Sequence, residues 1–186
     1  MFAQSFYTGR IVESGVKYGA LAGFIAAWSI STAIAASELE LGLPMGTFYA
    51  VMGMSLGYGD FISAAFLGFG LHLLTSALLG AAIGLAASRF AAKALLSPYR
   101  STLLGMGAGT AVWLVLFLPL TVLLVQPAIS NLSTQNATFE GMGQSVWGIA
   151  LSAIAFHLVW GAIFGFMTSS LMRIHAFHMA HPKGGT

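Results

Sequence analysis

The stretch at residues 61–88 reads FISAAFLGFGLHLLTSALLGAAIGLAAS, and it contains no Asp, Glu, Lys or Arg. A helix of about 20 apolar residues crosses the hydrocarbon core of a bilayer, so this stretch predicts a transmembrane helix. Three further stretches, 18–37, 102–126 and 146–172, are equally free of these charged residues. The sequence therefore predicts an all-α membrane protein with four transmembrane helices.

The composition points to the same class of protein. Hydrophobic residues make up 58% of the chain and charged residues only 6%. A soluble domain carries about 25% charged residues, because charged side chains cover its water-facing surface. The chain has no cysteine, which excludes disulfides and thiolate metal sites. Its few basic residues are scattered, so we expect no nucleic-acid partner.

The basic residues also predict the orientation. With four spans, every Lys and Arg falls before the first span, between the second and third, or after the fourth. The opposite side carries acidic residues only. By the positive-inside rule, both termini and the 89–101 connection are cytoplasmic, in a multi-pass protein of the cell (inner or plasma) membrane.

The connections divide the chain further. Residues 1–16 mix apolar and charged side chains and are expected to lie at the membrane interface, and residues 174–186 form a cytoplasmic tail containing histidines. After the first span, Pro44 precedes an apolar run too short to cross the bilayer, which predicts an interfacial or re-entrant helix. The loop after the third span contains glycosylation sequons at Asn131 and Asn136.

An internal repeat relates the two halves of the chain. A shift of 85 residues superimposes HLLTSALLG, residues 72–80, on HLVWGAIFG, residues 157–165. The same shift pairs Trp28 with Trp113. We therefore predict two tandem helical hairpins, 17–100 and 101–173, related by a pseudo-two-fold axis along the membrane normal.

Glycines spaced four residues apart recur in every span. A GxxxG step lets two helix backbones approach closely, which favours association in lipid. The predicted packing pairs are Gly19/Gly23, Gly80/Gly84, Gly105/Gly109 and Gly161/Gly165. The residues toward the outer end are bulkier, so the bundle is expected to splay there around a cavity lined by Trp28, Trp113 and the two histidines His72 and His157.

His72 and His157 are the ionisable residues closest to the middle of the spans. One interpretation is hydrogen bonding between helices. A second is ligation of a haem b by two imidazoles at equal depth. A third is a copper site, to which Met45, Met52 and Met54 could add sulfur ligands. The tail histidines, His175, His178 and His181, are expected to belong to a tail that lies at the membrane interface, and a cytoplasmic metal site is the alternative.

The second-hairpin string His157-Leu158-Val159-Trp160 and its counterpart around His72, GFGLHLLTSALLGAAIG, resemble the YagU-like family of small inner-membrane proteins. That resemblance implies paired helices with a histidine on the second helix of each pair. It implies no biochemical activity, because the function of the family is unknown.

No P-loop, HExxH, GxSxG or pair of intramembrane carboxylates occurs in the sequence. We therefore expect a non-enzymatic accessory or assembly subunit of a larger membrane complex, with no cofactor. Its expected partners are membrane lipids and other membrane subunits, or further copies of itself. Two alternatives remain open: a haem-binding electron carrier using His72 and His157, and a channel or transporter for a small neutral solute.

Overall fold

The computed structural model describes the backbone of residues 2–133 and 140–180, and the side chains of residues 13–130 and 147–179. The helices are α1 (Phe2–Glu40), α2 (Thr47–Ser55), α3 (Phe61–Phe90), α4 (Ala92–Leu95), α5 (Pro98–Val112), α6 (Leu118–Leu120), α7 (Gln126–Ser133) and α8 (Glu140–Ala180). Two π-helical segments, π1 (Trp113–Phe117) and π2 (Thr121–Val125), lie on either side of α6. The described residues contain no strand, which confirms the all-α prediction.

Four helices are long and apolar enough to cross a membrane, as predicted. They cover Glu13–Glu40, Phe61–Phe90, Pro98–Ser130 and Trp147–Met179. Each is longer than the uncharged stretch that predicted it, because helical hydrogen bonding continues into the charged residues at the ends. α1 also continues back to Phe2, so the predicted interfacial segment is helical and continuous with the first span. The side chain of Asn131 and the whole of Asn136 lie outside the described residues.

α1 and α3 form an antiparallel pair held at very short range by glycines. A Cβ added at Gly19 would overlap the carbonyl oxygen of Gly80, and one at Gly80 would overlap that of Gly19. Gly23 faces the carbonyl of Ser76 in the same way, and Gly84 faces that of Gly15. Only hydrogen occupies these positions, so the two backbones touch and can form Cα–H···O contacts.

α5 and α8 repeat this type of contact in the second half of the chain. Gly105 and Gly161 face each other's carbonyl oxygens, and Gly109 faces the carbonyl of His157. Gly165 lies against the carbonyl of Ser101, so there is no room for a side chain at Gly165. In return, the hydroxyl of Ser101 donates a hydrogen bond to the Gly165 carbonyl at 2.7 Å. All eight glycines of the predicted packing pairs thus lie in the two helix contacts.

The two hairpins meet where small residues of α1 receive large residues of α8. Ala22, Ala26 and Ala27 are fully buried and pack with Trp160 and Phe164, whose rings stack at 5.3 Å. Ile30 and Leu73 complete this core. Alanine leaves room for the indole of Trp160, so the interface combines a flat small-residue surface with two aromatic rings.

The short helix α2 packs on the first turns of α3. A Cβ at Gly68 would overlap the carbonyl of Tyr49, and a Cβ at Gly53 would overlap that of Ala64. Val51 also packs with Ile129 of α7, which ties α2 to the second hairpin. α3 itself begins at a standard cap, because the carboxylate of Asp60 accepts a hydrogen bond from the Ser63 N–H at 2.8 Å. This bond holds the pKa of Asp60 below its ordinary value.

Gly80→Ala tests the backbone contact between α1 and α3. The new methyl group must displace the Gly19 carbonyl, so we expect the protein in detergent to lose about 1–3 kcal/mol of stability. Gly70→Ala, in the same helix, is the matched control, because nothing lies within 4 Å of its Cβ position. There alanine should leave stability unchanged or raise it by up to about 1 kcal/mol. Equal melting temperatures for the two variants would contradict the contact.

Candidate functional site

His72 lies in the middle of α3, half-buried between α1, α2 and α3. Its ring packs on that of Tyr49, with 5.4 Å between centroids, and the carbonyl of Ala27 lies beside it. The Nε2 atom is shielded from the surface and has no hydrogen-bond partner. A buried nitrogen without a partner costs free energy, so it marks a position that could bind a small polar group.

His157 occupies the corresponding place in α8. Its Nδ1 donates to the Ala153 carbonyl at 2.8 Å, and its ring packs on Phe117 with centroids 4.9 Å apart. Because a carbonyl can only accept, this bond places the proton on Nδ1 when the imidazole is neutral. Nε2 then carries a lone pair and is available as an acceptor or a ligand.

The described hydrogen bond of His157 stays within its own helix, so it does not join two helices. Among the described residues no group of three or more His, Asp or Glu could hold a metal ion, which leaves two nitrogen ligands for any copper bound here. Tyr49 and Phe117 occupy the space beside the rings, and a haem would require both to move.

The two tryptophans paired by the repeat lie in different surroundings. Trp28 is 57% exposed on α1 and contacts Phe24 and Phe69. The indole N–H of Trp113 donates to the Ala150 carbonyl of α8 at 2.9 Å.

The tail histidines contact different partners. The Nδ1 of His175 lies 3.2 Å from the Tyr18 hydroxyl, whereas His178 donates to the Ile174 carbonyl within α8. His181 lies outside the described residues.

A buried carboxylate that the sequence analysis did not single out fixes α2 in place. Glu38 is fully buried near the end of α1 and accepts from the backbone N–H of Gly46 at 2.6 Å and of Phe48 at 2.7 Å. These donors lie at the N-terminus of α2, where free N–H groups and the helix dipole favour an anion. The only sequence signal was an acidic residue placed shortly before a short helix.

Tyr49 extends this polar cluster toward the histidines. Its hydroxyl donates to Ser31 Oγ at 2.9 Å, and Ser31 donates to the Ala27 carbonyl at 2.8 Å. Burial raises the pKa of Tyr49, and the nearby carboxylate of Glu38 raises it further. The phenol therefore stays protonated near neutral pH and acts as a donor. Polar groups thus run from Glu38 through Tyr49 and Ser31 to the side of His72.

The third span has the least regular backbone of the four. Pro119 has no N–H and its ring crowds the preceding turn, so the regular α-helical hydrogen bond cannot form at this residue. Pro119 itself lies in the short α6, and the backbone departs from α geometry in the π-helical segments π1 and π2 on either side of it. Aliphatic side chains of these segments face outward; Val115 is 65% exposed and Leu123 70% exposed.

Two clefts lie along α1. The first has a volume of about 260 Å³ and is lined by Glu13, Ser14, Lys17, Tyr18, His175 and Met179. The second has a volume of about 350 Å³ and is lined by Phe24, Ile25, Trp28 and Ser29. The first is polar and lies where the first and fourth spans end, whereas the second is apolar and lies farther along α1.

No family model matches the chain, and no curated protein or solved structure matches it. The resemblance to the YagU-like family stays a prediction from the histidine-containing strings.

Glu38→Ala tests the link between α1 and α2. Removal of the carboxylate leaves two N–H groups without their acceptors, at a cost of about 1–3 kcal/mol each where they stay buried. We expect faster amide hydrogen exchange in Phe48–Ser55 and a lower melting temperature. Glu40→Ala is the control, because Glu40 is exposed two residues away. Unchanged exchange in α2 of the Glu38 variant would refute the role of this carboxylate.

Proposed function

We propose that the chain is a non-enzymatic accessory subunit that binds a larger membrane protein through the outward face of its third span. The irregular backbone around Pro119, at membrane depth and under exposed aliphatic side chains, is the observation that carries this proposal. The third span also has the smallest buried share of the four. It is therefore the helix with the most surface left for a partner.

Backbone hydrogen bonding favours a protein partner on this face. Lipid tails offer neither donors nor acceptors, so irregular backbone at membrane depth is tolerated where protein or a water-filled cavity covers it. Pro119 has no N–H, so it cannot donate a hydrogen bond to a carbonyl of the preceding turn. A partner helix packed on this face would exclude lipid from that carbonyl and could supply a polar side chain to it.

The surface of this face suits such a contact. Its exposed side chains are aliphatic, namely Leu114, Val115, Leu120 and Leu123. Helices in membranes associate by close van der Waals packing, which a surface of branched aliphatic residues can supply. Trp113 at the start of π1 is held by its bond to Ala150, so the face is anchored to α8 on its inner side.

We also propose that the two hairpins are a tandem repeat with both termini cytoplasmic, in the cell membrane. The antiparallel glycine contacts of both hairpins support the repeat, and the one-sided distribution of Lys and Arg supports the orientation. The helix contacts of the two hairpins differ in register by three residues. Gly80 faces Gly19 in the first hairpin, whereas its repeat equivalent Gly165 faces Ser101 and not position 104, the equivalent of Gly19. The contact of Tyr49 with Gly68, two turns into α3, favours a re-entrant position for α2.

The two alternative functions have less support. A haem-binding electron carrier needs a flat space between His72 and His157, whereas Tyr49 and Phe117 pack directly on those rings. A channel or transporter for a neutral solute needs a continuous path between the helices, whereas the first cleft lies between the ends of α1 and α8 and the second lies on α1 alone.

Extraction from the native membrane in a mild detergent, followed by affinity purification and mass spectrometry, tests the proposal. We expect membrane subunits to co-purify in stoichiometric amounts with the unaltered chain. The double variant Val115→Trp/Leu123→Trp should release them, because two indoles on the third span block close packing.

Leu78→Trp is the control, since Leu78 is 62% exposed on α3 and lies away from the proposed face. It should retain the same partners as the unaltered chain. Co-purification that survives the double variant would remove the third span from the interface. A chain that is extracted alone would refute the subunit proposal as a whole.

A further inference from the structure

The polar cleft at the end of the first span contains two opposite charges that do not pair with each other. Glu13 and Lys17 lie one turn apart on α1 and both line the cleft. Side chains with this spacing can form an ion pair on a helix. In the part of the chain whose side chains are described, neither residue is in an ion pair. A carboxylate and an ammonium group therefore both line the cleft, and the ammonium group lies 6.0 Å from the centroid of the Tyr18 ring.

This combination selects the charge of the ligand. An anion would be attracted by Lys17 and repelled by Glu13, whereas a cation would be attracted by Glu13 and repelled by Lys17. A zwitterion with both charges about one helical turn apart can satisfy both side chains. The Tyr18 hydroxyl and His175, 3.2 Å apart, form the adjoining polar wall.

The apolar cleft continues from the polar one along the same helix. At 100° per residue, Lys17, Leu21, Phe24 and Trp28 fall within about 60° of each other around α1. Leu21, Phe24 and Trp28 are all exposed, at 44%, 41% and 57%. The apolar cleft at Phe24 and Trp28 begins about 10 Å deeper than Lys17, from the helical rise of 1.5 Å per residue. Leu21 thus lies between the charged cleft and the apolar cleft, on one side of α1.

We propose that this face of α1 binds a phospholipid with a zwitterionic head group of the phosphoethanolamine type. Lys17 contacts the phosphate, Glu13 contacts the ammonium group, and an acyl chain lies along Leu21, Phe24 and Trp28. The order of the charges fits this ligand. Glu13 precedes Lys17 and so lies farther from the membrane centre, and in such a lipid the ammonium group likewise lies outside the phosphate.

Native mass spectrometry of the full-length protein, delipidated in detergent and incubated with defined lipids, tests the proposal. The probes are phosphatidylethanolamine, phosphatidylglycerol with the same acyl chains, and water-soluble phosphoethanolamine. We expect the first to bind at least about fivefold more tightly than the second, since one favourable ion pair near the membrane surface corresponds to about that factor. Soluble phosphoethanolamine should not displace the lipid at equal concentration, because it lacks the acyl chain.

The decisive variant exchanges the two charges, Glu13→Lys with Lys17→Glu. It preserves net charge, composition and helix spacing but reverses the order of the charges, so we expect it to lose the preference for phosphatidylethanolamine. The single variants Glu13→Gln and Lys17→Gln should each weaken binding about fivefold. Lys93→Gln, an exposed residue in α4 on the same side of the bundle, is the control and should bind normally.

Three results would overturn the proposal: equal binding of the two lipids, an unchanged preference in the exchanged variant, or displacement by soluble phosphoethanolamine. Melting temperatures of the variants separate loss of binding from loss of fold. Glu13 and Lys17 are both exposed, so their replacement leaves the core intact and the melting temperature unchanged.

Discussion

The close approach of helix backbones at glycine is the constraint on which the rest of the structure depends. In lipid, apolar side chains gain little by moving from the bilayer into the protein, so helices associate through van der Waals contact at short range. The carbonyl of His157 lies directly against Gly109, and His72 lies one turn from Ser76, whose carbonyl faces Gly23. The glycine contacts therefore set the depth and orientation of both histidines.

Features that depend on local sequence could be predicted. The four spans follow from uncharged length, and the positions of the packing glycines follow from their four-residue spacing, because both signals act within one helix or one helix pair. The lengths of the spans were underestimated. Charged residues mark where the hydrocarbon core ends, whereas the helical backbone hydrogen bonds continue beyond that point. α1, for example, runs through Arg10 and Lys17 without interruption.

Features that depend on contacts distant in sequence could not be predicted. Glu38 appeared to be one of several acidic residues on the outward side, and its burial depends on α2 folding back onto α3. A proline such as Pro119 disturbs the hydrogen bonding of any helix, but the local sequence does not distinguish the π-helical turns that flank it from a simple kink. The sequence did not indicate which acceptor His157 would bind. In the structure, its Nδ1 donates to the Ala153 carbonyl of its own helix and not to another helix.

The two exposed faces of the bundle differ in a way that composition alone does not reveal. Both are apolar, so either could face lipid by hydropathy. The face of α1 has a regular helical backbone beneath Leu21, Phe24 and Trp28, and it ends in charged groups at the membrane boundary; lipid can cover such a surface at no cost in hydrogen bonds. The third span lacks that regularity at Pro119. Lipid tails cannot hydrogen-bond to an irregular backbone and protein can, so the backbone rather than the side chains is the basis on which we propose the third span, and not α1, as the partner-binding face.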